Sequence, residues 1–208
     1  NGKAVKTMTV KRILVANRGE IAIRIARAAA ELNIQTVAIY SEDDDKSLHT
    51  KIADESVCLD AMGTKAYLDV ENIISIARDT NCDALHPGYG FLAENSNLAS
   101  ECSSNNITFI GPDKNLLHLF GDKATARQAA IKAGVPVVLG TNKPSTLEEC
   151  EDFFKSLGDN ASVIIKALAG GGGRGSRIVT NLNDLKDAYS RCQSEAKNAF
   201  GNAELYIE

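Results

Sequence analysis

Lys166 closes an apolar, β-branched run and is followed within a few residues by the consecutive glycines Gly170 to Gly173, in VIIKALAGGGGRGSRIVT. Consecutive glycines let backbone N–H groups turn toward an anion with no Cβ in the way, and a lysine beside them adds a mobile positive charge. The combination points to nucleotide phosphate. The order of the parts discriminates further: in a P-loop the lysine follows the glycines and opens a helix, whereas here it precedes them and a β-branched strand, Arg177 to Thr180, follows. Gly170, Gly172 and Gly175 formally satisfy G-x-G-x-x-G, but a dinucleotide fingerprint leads into a helix whose N-terminus holds the pyrophosphate. What remains is a hairpin lid over phosphates.

The elements that must position this lid alternate in type. KRILVA reads as a buried strand, and the helix after it puts Ile21, Ile25, Ala28, Ala29 and Leu32 on one face. QTVAIY is a second strand, SEDDDKS a solvated loop and ESVCL a short strand. Helices over about 70–80 and 95–105 lead to the strands DALH and TFI. Repeated strand and helix units with short connections imply an α/β fold, a Rossmann-like parallel sheet covered on both faces. Two helical segments follow, about 114–120 and 122–133. The last part reads strand (Val137 to Leu139), helix (Thr146 to Leu157), strand, glycine loop, strand, helix (Leu182 to Phe200) and strand (Leu205 to Glu208). The expected division is 1–112 as the first domain, 113–136 as a helical linker and 137–208 as an α+β lid unit.

Composition sets the outer limits. The 208 residues are 44% hydrophobic and 24% charged, which is ordinary globular composition. Lys plus Arg is 23 and Asp plus Glu 27, a net charge of −4 with no basic stripe, which argues against nucleic acid as main partner. Cys58, Cys82, Cys102, Cys150 and Cys192 are scattered, without a C-x-x-C pair, as expected of reduced thiols in a cytoplasmic, mitochondrial or plastid-matrix compartment. No apolar run approaches the ~20 residues of a membrane span, and the opening NGKAVKTMTV lacks a signal-peptide core. The missing initiator Met suggests a trimmed piece or a segment of a longer chain.

Three further motifs complete the pattern: ANRGEIAIR at Ala16 to Arg24, HPGYGFLAEN at His86 to Asn95 and GDKATAR at Gly121 to Arg127. With the glycine loop they closely resemble the N-terminal portion of the biotin carboxylase family, over about Lys11 to Glu208. The resemblance implies an ATP-grasp enzyme that joins bicarbonate and ATP into carboxyphosphate and carboxylates biotin on a carrier domain. ATP and Mg would be its cofactors and a homodimer its assembly. A carbamoyl-phosphate synthetase half, or a non-catalytic nucleotide-binding or oligomerisation module, are the alternatives; HPGYGF with ANRGEIA favours the carboxylase.

Site residues follow from the resemblance one by one. Lys166 aligns with the lysine on the ATP phosphates, Gly172 and Gly173 with the amides covering them, Lys123 with a second phosphate lysine and Glu208 with the acidic residue at the adenine edge. Tyr89 and Gly90 would lie near the biotin ureido ring, at the end of a parallel strand where α/β sheets bind ligands. Arg27 and Glu31 align with a dimer contact. His86, just before Pro and Gly, reads as a turn-former, and Glu94 as an organiser of the same loop. NRGEIAIR has one glycine where a dinucleotide loop has three, so that loop reads as architectural. Ala169 and Ser176 stand where the family usually carries a glycine and a methionine, which bears on the adenine pocket. The family's Mg-binding glutamates, bicarbonate arginine and general base lie beyond Glu208. The chain is therefore expected to hold the first domain and the lid, without metal ligands or catalytic residues.

Overall fold

The structure, a computed structural model, describes residues 9–208 apart from 142, 159 and 169–174. The chain divides into two compact units, Asn1–His118 and Leu119–Glu208.

The first unit is built on five parallel strands: β1 (Arg12–Val15), β2 (Gln35–Tyr40), β3 (Glu55–Cys58), β4 (Ala84–His86) and β5 (Thr108–Phe109). Their order in the sheet is β3-β2-β1-β4-β5, so the winding reverses between β1 and β4. The inner strands β1, β2 and β4 are largely apolar on both faces because both are covered. Leu14, Val37, Ile39 and Leu85 pack with Tyr67, Ile73 and Leu98 on one side, and Ile13, Val15 and Ala84 with Ala22 and Ile25 on the other. The crossover helices are α1 (Gly19–Glu31), α3 (Val70–Asp79) and α4 (Ser96–Ser104), with the short α2 (Leu48–Ile52) beside β2 and β3.

Asparagine ends each crossover helix. Asn33, Asn81 and Asn106 have φ of 58°, 55° and 57°. Left-handed backbone is tolerated there by Asn, and the next residue's N–H returns to the helix: Ile34 to Ala29, Cys82 to Ala77 and Ile107 to Cys102, at 2.8–2.9 Å. The residue that closes each motif is apolar and leads straight into a strand, so capping and strand entry are set together.

Two expectations need correction in this unit. The face α1 buries is Ala22, Ile25, Ala26 and Ala29, while Leu32 is exposed and, with Ile21 and Ala28, lines an apolar groove of about 360 Å³. Alanines let the helix approach the strands closely, and that selects the smaller stripe. SEDDDKS is not simply a solvated loop: Glu42–Asp44 form a turn of 3-10 helix, and Asp44 is buried.

The second unit has a three-stranded antiparallel sheet of order β7-β6-β8, from β6 (Val163–Ala167), β7 (Ser176–Val179) and β8 (Leu205–Ile207). One face carries Val163, Ile165, Ala167, Val179, Leu205 and Ile207 against Cys150 and Phe154 of α7 (Leu147–Ser156) and Leu185, Cys192 and Ala196 of α8 (Leu182–Phe200). A capping box starts α7: Glu149 N–H donates to the Thr146 hydroxyl, and Thr146 N–H to the Glu149 carboxylate. α5 (Lys114–Gly121) and α6 (Lys123–Lys132) complete the elements, α6 with Asp122 as N-cap. The expected strand at Val137 to Leu139 is absent, and Val138 and Leu139 are exposed. The chain meets the edge of β8 slightly later, where Thr141 and Ser145 N–H donate to Ile207 and Leu205 carbonyls at 2.9 and 2.8 Å. Gly140 permits that approach, since a Cβ there would come within 2.7 Å of the Ile207 carbonyl oxygen.

Candidate functional site

The alternation of β6 sends Val163, Ile165 and Ala167 into the core, so Ile164 and Lys166 emerge on the opposite face. Register adds their neighbours. Ser176 of β7 and Tyr206 of β8 sit opposite Lys166, and Glu208 exchanges backbone hydrogen bonds with Ile164 at 2.7 and 3.1 Å. Lys166, Ser176, Tyr206 and Glu208 therefore share one face, where the Lys166 ammonium pairs with the Glu208 carboxylate. Ile178, on the same face, is 71% exposed, so this side of the sheet offers apolar surface next to the charges.

Lys123 opens α6 behind its Asp122 cap and reaches the end of β6, donating to the Leu168 carbonyl at 3.2 Å and the Ala167 carbonyl at 3.5 Å. Burial, and then the like charge of Lys166, pull its ammonium pKa below the usual lysine range, with Asp122 opposing. An anion placed beside Lys123 and Lys166 would relieve the repulsion between the two ammonium groups. The glycine loop's exit is fixed by Gly175: its φ is +68°, and a Cβ would lie 3.1 Å from that of Ala167. Gly172, Gly173 and Ala169 lie outside the described residues. Ser176 is half-buried opposite Lys166.

A second constellation occupies the carboxyl ends of β1 and β4, where the sheet order reverses. The buried amide of Asn17 donates to the Pro87 and Tyr89 carbonyls at 2.7 and 2.9 Å, tying the loop after β1 to the loop after β4. Gly88, at φ +67°, lies so near that a Cβ would meet the Asn17 Nδ2 at 2.8 Å. Gly90, at φ +66°, has nothing within 4 Å of its Cβ direction. Tyr89 is exposed and its hydroxyl donates to Glu20, which raises the phenol pKa and lowers that of the carboxyl. His86 accepts from Gly88 N–H at 3.0 Å through Nδ1, a turn-forming role, and burial lowers its pKa. Glu94 lies in the following turn, and no hydrogen bond of its side chain is found among the described residues. Arg27 and Glu31 are exposed on α1 and line a groove of about 550 Å³ with Glu20, Arg24 and Leu48; no ion pair joins them.

Asn17, Arg18, Asp44 and Tyr67 were not singled out by the sequence. The Arg18 guanidinium Nε lies 3.1 Å from an Asp44 carboxylate oxygen, and Asp44 also accepts from the Tyr67 hydroxyl at 2.9 Å. Burial pushes the Tyr67 phenol pKa up to about 12. Among the described residues, no group of three or more His, Cys, Asp or Glu could hold a metal ion. A divalent cation needs convergent carboxylates, and these residues by themselves do not fit one.

Comparison with known proteins gives a consistent result. Residues 9–117 match the family described as "Biotin carboxylase, N-terminal domain", and residues 122–208 match "Carbamoyl-phosphate synthase L chain, ATP binding domain". The chain is 53% identical over 204 residues to pyruvate carboxylase of Bacillus subtilis, covering 96% of the chain and 18% of that protein. It is similar to the biotin carboxylase of Campylobacter jejuni, solved as a β,γ-ATP complex: TM-score 0.92 and 42% identity, covering 96% of this chain and 45% of that one. A third relative is the biotin carboxylase domain dimer of 2-oxoglutarate carboxylase from Hydrogenobacter thermophilus, solved with MgADP, ADP and bicarbonate. Its TM-score is 0.89 at 44% identity, covering 97% of this chain and 44% of that one.

Proposed function

Because the chain belongs to the biotin carboxylase family, we propose that it supplies the first domain and the nucleotide lid of an enzyme that carboxylates carrier-bound biotin with ATP and bicarbonate. The observation that carries this is the Lys123–Lys166 pair on the open face of the second unit, with Glu208 beside it. Lys166 and Lys123 contact the ATP phosphates, the amides of Gly172 and Gly173 cover them, and Glu208 borders the adenine. A polyphosphate needs both point charges and directional donors, and two lysines beside a run of glycines are the residue types that meet that need. The chain spans less than half of the biotin carboxylases it resembles and 18% of the pyruvate carboxylase. The acid–base and metal-binding groups of the reaction are assigned outside it.

In the first unit Tyr89 and Gly90 flank biotin, supported by their place at the reversal point of a parallel sheet and by the open space before Gly90. Arg27 and Glu31 belong to a homodimer contact, as their exposure allows. We assign 1–112 to the amino-terminal domain, 113–136 to the linker and 137–208 to the lid. All five cysteines carry free thiols, in keeping with a cytoplasmic, mitochondrial or plastid-matrix location, and no helix among the described residues is long and apolar enough to cross a membrane. The full-length protein supplied with ATP, bicarbonate and free biotin is expected to release ADP and phosphate and to form carboxybiotin. Carbamoyl phosphate made from ammonia, with no dependence on biotin, would overturn the proposal.

A further inference from the structure

The loop from Pro87 to Phe91 is gripped at two points. Asn17 holds its first half through the Pro87 and Tyr89 carbonyls. At its far end Phe91, a non-glycine residue at φ 39°, is stacked on Tyr67 with ring centroids 5.1 Å apart and planes 18° from parallel. A left-handed backbone at an aromatic residue is strained and persists only where its surroundings impose it. Both grips lead to one carboxylate. Arg18, next in chain to Asn17, directs Nε at Asp44 Oδ2 from 3.1 Å and lies over the Tyr67 ring with its guanidinium carbon 5.9 Å from the centroid. The Tyr67 hydroxyl donates to the same oxygen at 2.9 Å and accepts from Ser41 N–H at 3.1 Å.

The hydroxyls of Ser41 and Ser47 donate to Asp44 at 3.3 and 3.0 Å, so its carboxylate is fully engaged although only 7% of the residue is exposed. The same turn leaves Glu42, Asp43 and Asp45 in solvent, so Asp44 alone of the charge run is turned inward. We propose that Asp44 is a positioning residue for the biotin step: by holding Arg18 and Tyr67 it fixes the Asn17 and Phe91 grips and so the path of Tyr89 and Gly90. The inference rests on the assignment of that loop to biotin.

The test uses the full-length protein with free biotin as substrate. Asp44→Asn keeps the size and one acceptor and removes the charge. Arg18→Lys, at a side chain 38% exposed, keeps the charge and loses the planar group over Tyr67. One charge-assisted hydrogen bond corresponds to roughly 10- to 100-fold, and an effect relayed through other side chains is expected at the lower end of that range. The KM for biotin is therefore expected to rise about tenfold in Asp44→Asn, with the KM for ATP and the biotin-independent ATP cleavage within about twofold of wild type. Since Asp44 acts in part through Arg18, the double variant should fall short of the sum of the two single effects, a non-additivity that independent sites do not show.

A biotin KM unchanged in Asp44→Asn, or ATP and biotin parameters falling together, would overturn the inference. If Asp44→Asn does not fold, the same readout on Arg18→Lys decides. Gly90→Val separates the two layers. Impaired biotin kinetics there with a silent Asp44→Asn would refute only the role of Asp44, whereas unaltered biotin kinetics in Gly90→Val would remove the loop from the biotin site and the inference with it.

Discussion

Lys166→Ala should weaken ATP binding roughly 10- to 100-fold while both units keep their thermal stability. A charge-assisted hydrogen bond is worth about 1.5 to 3 kcal/mol, and each 1.36 kcal/mol is tenfold. The loss is compounded by what stays behind, because the Glu208 carboxylate would then stand beside an anionic nucleotide with its own lysine gone. Folding should survive, since Lys166 lies on the sheet face away from the core and its partly exposed ion pair contributes at most ~1 kcal/mol. Adding Glu208→Gln to Lys166→Ala should recover part of the lost affinity. Calorimetric titration with ATP checks both statements, and an unchanged Kd in the single variant would remove Lys166 from the site.

The two glycines of the HPGYGF loop should respond to different degrees. Both have left-handed φ, which costs a non-glycine residue about 1 to 2 kcal/mol. At Gly88 the added Cβ also runs into the Asn17 amide and puts its hydrogen bonds to Pro87 and Tyr89 at risk, each worth about 1 kcal/mol. Gly88→Ala is therefore expected to destabilise the first unit by about 2 to 4 kcal/mol. Gly90→Ala should cost no more than the backbone term of about 1 to 2 kcal/mol. Gly90→Val fills the open space in front of the loop and should cut biotin-dependent turnover at least tenfold, with ATP binding retained. Denaturant unfolding and steady-state kinetics separate these outcomes. Equal destabilisation by Gly88→Ala and Gly90→Ala would contradict the packing described for Asn17.

What the sequence made legible was local. The strand and helix alternation of the first unit, the β6–β7 hairpin with Lys166 at its base and the helix of 182–200 all follow from periodicity and glycine placement, and all are found. What escaped depends on residues far apart in the chain. Asp44 looks solvated because its neighbours are charged, and its burial is decided by Arg18 and Tyr67, 26 and 23 positions away. Lys123 meets the strand end 44 and 45 residues later, a contact that no local pattern announces. Val137 to Leu139 have the composition of a strand, but the partner edge of β8 is taken by Thr141 and Ser145 instead. On α1 two overlapping apolar stripes compete, and the one that carries Ala22, Ile25, Ala26 and Ala29 is the one buried.

The central assignment is that the Lys123 and Lys166 ammonium groups face a nucleotide's phosphates, and lysine labelling reads this directly. The protein is treated briefly with an amine-acylating reagent in the presence and absence of MgATP, and each lysine is quantified by mass spectrometry. Without nucleotide, Lys123 and Lys166 should both take up label. With MgATP, Lys123 and Lys166 should lose most of their labelling while the exposed Lys155 and Lys186 are unaffected. Labelling of Lys123 and Lys166 that does not change with saturating MgATP would contradict the phosphate site.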